Sequence, residues 1–373
     1  MSVPADAPLP KLYHPGVWRD PPGGAEAVSI IMRTKDRALL LPRALESVLA
    51  QRFEDWRLYL VNDGGAVPVL EDVLTPYLEA FGGRLRVVHH AVSLGMEAAS
   101  NAGLALARGR YFAIHDDDDC WHPDFLSRTV SFLSAPERCG YAGVATGCEV
   151  VRERIEAGRV VKTAQFPWVY FKPPVEFSAM LARNQIPPIA LLLRRDVLAR
   201  IGDYNERLPV LGDWEFILRV LAVGDIGAIP EPLAFYHHRL AADEDVYANS
   251  VSAGLHIHRE MKAGIGNHII REALAAQPVL LGVLWPVLQA LDEASGERRR
   301  QTEGLEHKLD ALAAEMARQL DMMQGMTRRL TVLEEAVREV RQIAEQRSCL
   351  PAPLRWLAFR WHKLTGRQPR KDR

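Results

Sequence analysis

Between residues 27 and 115, short apolar runs alternate with segments of helical spacing, and this alternation restricts the chain to a small group of folds. Val28-Ser-Ile-Ile-Met32 reads as a strand. Within Leu39–Gln51 the apolar residues Leu40, Leu41, Ala44, Leu45, Val48 and Leu49 fall on one helical face. Leu58–Val61 reads as a second strand, closed by Asn62-Asp63-Gly64-Gly65, with a helix expected around Val69–Ala80. A strand at Leu85–Val88, an Ala-rich helix over Gly95–Ala107 and a strand at Tyr111–His115 follow. Strands separated by helices of about a dozen residues build βαβ units and a mostly parallel sheet.

In such sheets ligands sit beyond the carboxyl ends of the strands. Polar clusters fall at those ends: Arg33-Thr-Lys-Asp-Arg37, Asn62-Asp63 and Asp116–Asp119. The last is the sharpest, because an apolar strand runs directly into four consecutive carboxylates. Adjacent like charges repel by roughly 1 kcal/mol per close pair even in bulk water, and by more in a protein cleft. Something cationic must offset that repulsion. A hard divalent ion does so, and Mg²⁺ typically takes one or two carboxylates together with substrate phosphates. A metal–diphosphate site is therefore expected here. The plainer alternative is a solvated acidic turn before a helix, since Pro123 reads as a helix start. If the run stays extended, Asp117 points away from Asp116 and Asp118.

The rest of the chain is read more coarsely. Residues 1–26, rich in Pro, Gly and Ala, form an irregular arm. Residues 27–240 form the catalytic unit. Its second half carries strands at Tyr141–Val151, Ala190–Leu193 and Leu233–His237 and a helix at Asp213–Val223, and is expected to hold the second substrate. Residues 241–296 read as a helical extension. From Leu305 to Ala344 apolar residues alternate four- and three-residue steps, with Gln319 the one polar member. This heptad seam, within 297–347, predicts a coiled coil and a homo-oligomer; the alternative is one long helix folded back on the catalytic unit. Leu320 and Met322 widen the seam, which leaves the strand number open. The tail, 348–373, mixes Trp356, Phe359 and Trp361 with basic residues. It is read either as a peripheral membrane contact or as a solvated end.

Composition excludes several classes. Hydrophobic content of 48% and charged content of 25% are ordinary for a soluble globular chain, and a net charge of -1 gives no pull toward nucleic acid. Cys120, Cys139, Cys148 and Cys349 form no CxxC pair, so neither zinc nor a disulfide framework is expected and a reducing cytoplasm fits. The first residues lack a charged-then-apolar leader pattern, and no run reaches the roughly 20 apolar residues of a membrane span.

Five landmarks, in order and at fitting distances, together resemble family 2 glycosyltransferases of the GT-A fold over about 27–240. They are Val28–Arg37, Leu45-Glu-Ser-Val-Leu-Ala-Gln51, Val61-Asn-Asp-Gly64, Asn101-Ala-Gly-Leu104 and the Asp116 run. The resemblance implies an α/β GT-A sheet flanked by helices, a nucleotide-sugar donor, a glycan or lipid-linked acceptor in cell-surface polysaccharide synthesis, and Mg²⁺ or Mn²⁺. It implies that Thr34 approaches the nucleotide and Asp63 hydrogen-bonds the base. It also implies that Asp116 and Asp118 form the outer positions of a DXD metal motif, with Asp119 a further acidic position. Asp213, in Leu211-Gly-Asp-Trp-Glu-Phe-Ile-Leu-Arg219, corresponds to the catalytic base. His237 or His238 falls where some GT-A enzymes place a late metal or phosphate contact. The chain departs from the family pattern at Ser100, where Arg is frequent, at Gly212, where Glu is frequent, and at Asp36, where Asn is common. Arg37 is a candidate to replace the missing phosphate contact.

A nucleoside diphosphate leaves readily once its charge is neutralised, so one carboxylate suffices to take the acceptor proton. A single in-line displacement then inverts the anomeric centre. A nucleotidyltransferase on a related sheet is a competing reading. It calls for a Gly-rich loop after the first strand, and Arg33–Arg37 contains no Gly. A third reading is an inactive scaffold working through its coiled coil.

Overall fold

The computed structural model describes Trp18, residues 26–239, Tyr247, 255–279 and 321–342, with a few further positions between 282 and 319. The chain divides into two compact units, Met1–Glu272 and Ala273–Arg373. In the first unit β1 (Val28–Thr34), β2 (Trp56–Asp63), β3 (Leu85–His90) and β4 (Tyr111–Asp116) are linked by four helices. These are α1 (Leu41–Leu49), α2 (Val67–Leu74), α3 (Leu78–Phe81) and α4 (Met96–Leu106). There follow β5 (Cys120–Trp121), α5 (Phe125–Ser134), β6 (Tyr141–Glu156), β7 (Arg159–Pro167) and α6 (Phe177–Ala182). Then come β8 (Leu191–Arg194), α7 (Val197–Ile201), α8 (Gly212–Val223) and β9 (Asp225–Arg239).

The strands form one nine-stranded sheet in the order β3-β2-β1-β4-β8-β6-β9-β5, with β7 paired to β6. β3, β2, β1 and β4 run parallel, as the βαβ pattern requires. β8 is antiparallel to both its neighbours, and β6 and β9 pair in parallel. A parallel strand covered by helices on both faces must be apolar throughout. β1 is buried along its length except at Arg33. α1 opens with Pro42, whose missing N–H costs nothing in a first turn, and buries Leu41, Ala44, Leu45 and Val48. α4 lies close against the sheet: a Cβ on Gly103 would stand 2.6 Å from Cγ2 of Ile31.

Aromatic pairs fill the core at both ends of the sheet. Trp56 meets Phe81 edge-on at 6.0 Å, and Trp121 stacks on Phe125 at 4.4 Å. Trp18, inside the expected irregular arm, is also buried in this core. Its main-chain N–H donates to the Cys139 carbonyl at 3.0 Å and its ring is covered by Arg200.

The β6–β7 hairpin has no counterpart in the sequence pattern. Its turn, Ala157-Gly158, has φ of 48° and 73° at the two residues. Such primed turns match strand twist, but Ala is an unusual first residue, so the Asn-Gly type of signal is missing. β7 is mostly exposed and carries no period-two alternation.

In the second unit, residues 321–342 are helical, and Met322, Met323, Met326, Leu330, Leu333, Val337 and Val340 all face solvent. The start of the expected seam at 305–313, the 348–373 tail and most of the 1–26 arm lie outside the described residues. Among the described residues no helix is long and apolar enough to cross a membrane.

The β6–β9 register shifts on both sides of Gly147. A Cβ there would stand 2.4 Å from the Pro230 carbonyl oxygen, and backbone cannot swing aside. Gly147→Ala is expected to destabilise the protein by about 1–3 kcal/mol, read from the urea midpoint at unchanged slope.

Candidate active site

The carboxyl ends of β1, β2 and β4 form one rim. Arg33 and Asp116 are direct register partners on adjacent parallel strands, and Thr34 pairs with Asn62. Register therefore sets the first contact of the site: Arg33 Nε donates to Asp116 Oδ1 at 3.2 Å. Arg33 also reaches Ser100 Oγ at 3.1 Å.

Beyond Asp116 the chain turns at once. The Asp119 N–H donates to the Asp116 carbonyl at 3.3 Å. The run is thus not extended, and the expectation that Asp117 faces away fails for that reason. Asp117 is buried, accepts a hydrogen bond from the Thr34 side chain and lies 3.1 Å from Arg37 Nη1. The same Arg37 nitrogen is 3.4 Å from Asp118 Oδ2, and Arg239 also pairs with that oxygen. Asp119 accepts the His237 main-chain N–H at 2.7 Å. The positive charge demanded by the acidic run is supplied here by arginines from β1, the loop after it, and β9. Burial pushes the Asp117 carboxyl up to about 6 against the pull of Arg37, and burial with neighbouring carboxylates raises Asp119 well above its ordinary value.

Glu153 on β6 extends the cage. It pairs with Arg43 and with Arg239 Nη1 at 3.1 Å, and accepts from His237 Nδ1 at 2.7 Å. Burial opposes its ionisation, but the donors from His237 and Arg43 outweigh it and bring the carboxyl down to about 2. The His237 ring is thereby turned toward Glu153. A groove of about 500 Å³ opens beside it, lined by Arg43, Cys120, Glu153, Lys162, Phe235 and His237. Sequence reasoning missed Glu153, Arg43 and Arg239. Only the unbroken apolar-to-charged end of a long strand hinted at Glu153.

Thr34, Asp36, Arg37 and Asn62 border a cavity of about 20 Å³ at the β1–β2 end. Asp36 has a left-handed φ of 55° and accepts the Ala66 N–H at 2.8 Å. Asn and Asp tolerate that conformation best, which accounts for Asp where Asn is common. Asp63 closes β2 and organises the next loop. It accepts from the N–H groups of Leu94 and Gly95 at 2.9 and 3.0 Å, from Ser93 Oγ at 2.7 Å and from His90 Nδ1 at 2.8 Å. Burial works against its charge, but these donors prevail and hold the carboxyl at about 2.

Asp213 stands in the first turn of α8, whose N-cap is Leu211 at a left-handed φ of 64°. Asp213 is thus inside the helix and is not its cap. Its Oδ2 accepts from Asn184 Nδ2 at 2.8 Å. Burial raises its pKa, opposed by the Trp214 N–H and Asn184, and Asp116 is among the charges it feels. Sequence reasoning also missed Asn184. It missed Glu97 on α4 as well, which is buried with its Oε2 3.9 Å from Arg33 Nη1. Burial pushes the Glu97 carboxyl up to about 7 despite Arg33.

Among the described residues no group of three or more His, Cys, Asp and Glu is arranged to hold an ion. Two carboxylates suffice where a substrate diphosphate completes the shell, and the oxygen donors of Asp116 and Asp118 suit a hard cation. Half-exposed Asp116 is open to one.

The parallel order β3-β2-β1-β4, the antiparallel β8 and the flanking helices give an α/β domain of GT-A type, with the acidic turn at the β4 end. Residues 29–200 match the family model described as Glycosyl transferase family 2. A PGL/p-HBAD biosynthesis glycosyltransferase of Mycobacterium bovis is 28% identical over 196 residues, covering 52% of this chain and 70% of that one. An uncharacterized glycosyltransferase of Haemophilus influenzae is 24% identical over 217 residues, covering 56% and 64%. Among solved structures, S. aureus TarS 1-349 in complex with UDP-GlcNAc has a TM-score of 0.43 at 17% identity. That match covers 58% of this chain and 59% of the TarS chain. Mannosyltransferase PcManGT from Pyrobaculum calidifontis, in complex with GDP-Man and Mn²⁺, has a TM-score of 0.42 at 17% identity, covering 74% and 82%.

Asp63 gives a signed pH prediction. Its folded pKa is depressed, so its contribution to stability is full above about pH 4 and is lost as pH falls toward 2. The stability gap between wild type and Asp63→Asn, followed by urea unfolding, should be widest above about pH 4 and narrow below it.

Proposed function

We propose that the chain is a metal-dependent, inverting glycosyltransferase. It moves a sugar from a nucleotide-sugar donor to a hydroxyl of a glycan or lipid-linked acceptor in cell-surface glycan synthesis. The observation that carries this reading is the placement of Thr34, Asp63 and Asp116 at the carboxyl ends of adjacent parallel strands, together with Asp213 in the first turn of α8, held by Asn184. The match of residues 29–200 to the family 2 model and relatives named for PGL/p-HBAD biosynthesis support a biosynthetic transferase.

Asp116 and Asp118 are the residues proposed to hold Mg²⁺ or Mn²⁺. When bound, the ion would neutralise the charge that develops on the departing diphosphate. Thr34, Arg37 and the Asp63-ordered loop receive the nucleotide. Asp213 takes the proton from the attacking hydroxyl. Its raised pKa suits that task, because a base works best when its pKa approaches the operating pH. Asn184 and the Trp214 N–H hold the carboxylate in place for the acceptor. His237, oriented by the hydrogen bond from Nδ1 to Glu153, is a further candidate for the metal set.

Self-association through the 297–347 seam belongs to the same proposal. The exposed apolar stripe on 321–342 supports it. In a parallel, in-register pair Arg329 of one copy would face Glu334 of the other, and no like-charged flanking pair would arise between Lys308 and Arg341.

Incubation of the purified chain with a panel of sugar nucleotides and Mn²⁺ should release nucleoside diphosphate; no release from any donor would overturn the reading. Asp118→Asn should abolish the metal-dependent release. Asp213→Asn should bind donor normally yet lose about 10²–10⁴-fold in turnover. In wild type, turnover should fall as pH drops through the Asp213 pKa, which burial raises from its ordinary value. Deleting 297–373 should lower the mass in solution to that of a monomer, by light scattering, while the far-UV spectrum of the remaining unit persists.

A further inference from the structure

Gly212 opens α8 immediately before Asp213. Glycine brings no side chain to the first position of this helix, and space supplies a reason for it. A Cβ on Gly212 would stand 2.3 Å from both Cδ and Oε1 of Glu97 and 2.7 Å from its Cγ. The Glu97 side chain, reaching across from the first turn of α4, fills the volume that a residue 212 side chain would need. Glu97 is almost wholly buried, and among the described residues its Oε2 accepts no hydrogen bond. The charges facing it are Arg33, Asp213, Asp116 and Glu215. Arg33 is the one cation of that group, and it also pairs with the Asp116 carboxylate. The positive end of the α8 dipole lies on the opposite side, at Gly212.

We propose that Glu97 is a positioning residue for transfer: its carboxylate occupies the space left by Gly212 and ties the base-bearing first turn of α8 to Arg33, and through Arg33 to Asp116. The inference rests on the roles of Asp116 and Asp213 proposed above. A strut of this kind sets the separation between the acceptor base and the donor motif. Its loss therefore falls on the chemical step rather than on donor capture. Packing alone would be served equally by Gln, so charge is the distinguishing property, and the two side chains are compared above pH 7, where the Glu97 carboxyl is ionised.

The test uses the full chain with Glu97→Gln, Glu97→Ala, Gly212→Asp and the double variant Glu97→Ala/Gly212→Asp. The Gly212→Asp change returns a carboxylate close to the lost one, on a first-turn position that favours acidic residues. Glu97→Gln and Glu97→Ala should lower kcat by about tenfold or more while donor KM stays within about twofold. The double variant should recover most of the loss. Wild-type kcat in Glu97→Gln overturns the proposal, as does a folded double variant no better than Glu97→Ala. Should the wild type release no nucleoside diphosphate from any donor, the functional reading falls and melting temperatures decide the strut. Gly212→Asp should then destabilise strongly while Glu97 is present and stabilise in the Glu97→Ala background, a non-additive cycle; additive losses would overturn the pairing.

Discussion

The pairing of arginines with strand-end carboxylates is the constraint on which the rest of this site depends. Asp117, Asp118, Asp119, Glu97 and Glu153 are all buried. Buried carboxylates are tolerable only when paired and hydrogen-bonded, and removing one partner leaves an uncompensated charge that typically costs about 3–5 kcal/mol. Arg33, Arg37, Arg43 and Arg239 divide that task, and each reaches from a different segment of chain. The cage therefore pins β1, α1, β6 and β9 around the β4 turn. A divalent ion on Asp118 would compete with Arg37 and Arg239 for the same oxygen. Under the proposed function, the guanidinium groups so displaced face a diphosphate, an anion of the kind they bind best.

The rim was legible because a parallel sheet buried on both faces leaves a strong local trace. β1 to β4 each announce themselves as apolar runs, and the polar residues that end them cannot lie anywhere but the carboxyl edge. The need for positive charge beside Asp116–Asp119 was legible for the same reason. Its source was not. The electrostatic argument asks only for a cation, and the identity of the arginines depends on strand order, which brings β9 to the same edge as β4's turn. The orientation of Asp117 failed on a narrower point, since period-two alternation holds only while the backbone stays extended and a single Asp119-to-Asp116 hydrogen bond ends it.

Asp63 illustrates a residue whose position was readable while its local duty was not. The Asn-Asp-Gly-Gly stretch marks a turn, and turn residues commonly bond their own neighbours. Here the carboxylate instead gathers the 93–95 loop far along the chain and sets the entry to α4. α4 in turn carries Glu97 and Ser100, both of which touch Arg33. The loop proposed to face the nucleotide is thus fixed from beneath by an acid, and the same helix that this loop opens feeds charge into the acidic turn.

Ser100 and Gly212 looked, along the sequence, like two separate losses. In three dimensions each is bound to the same guanidinium group's surroundings. Ser100 Oγ lies 3.1 Å from Arg33 Nη1, so a larger side chain at 100 would contend with Arg33 for that space. Gly212 leaves room for the carboxylate that stands on Arg33's other side. A small residue on each helix is what lets an arginine from β1 and a glutamate from α4 share a buried volume next to Asp116. Read one position at a time, such exchanges register as departures. Their physical content lies in the pair: a buried carboxylate on one helix requires that the facing wall lack the atoms it would displace, and only the folded chain records which wall that is.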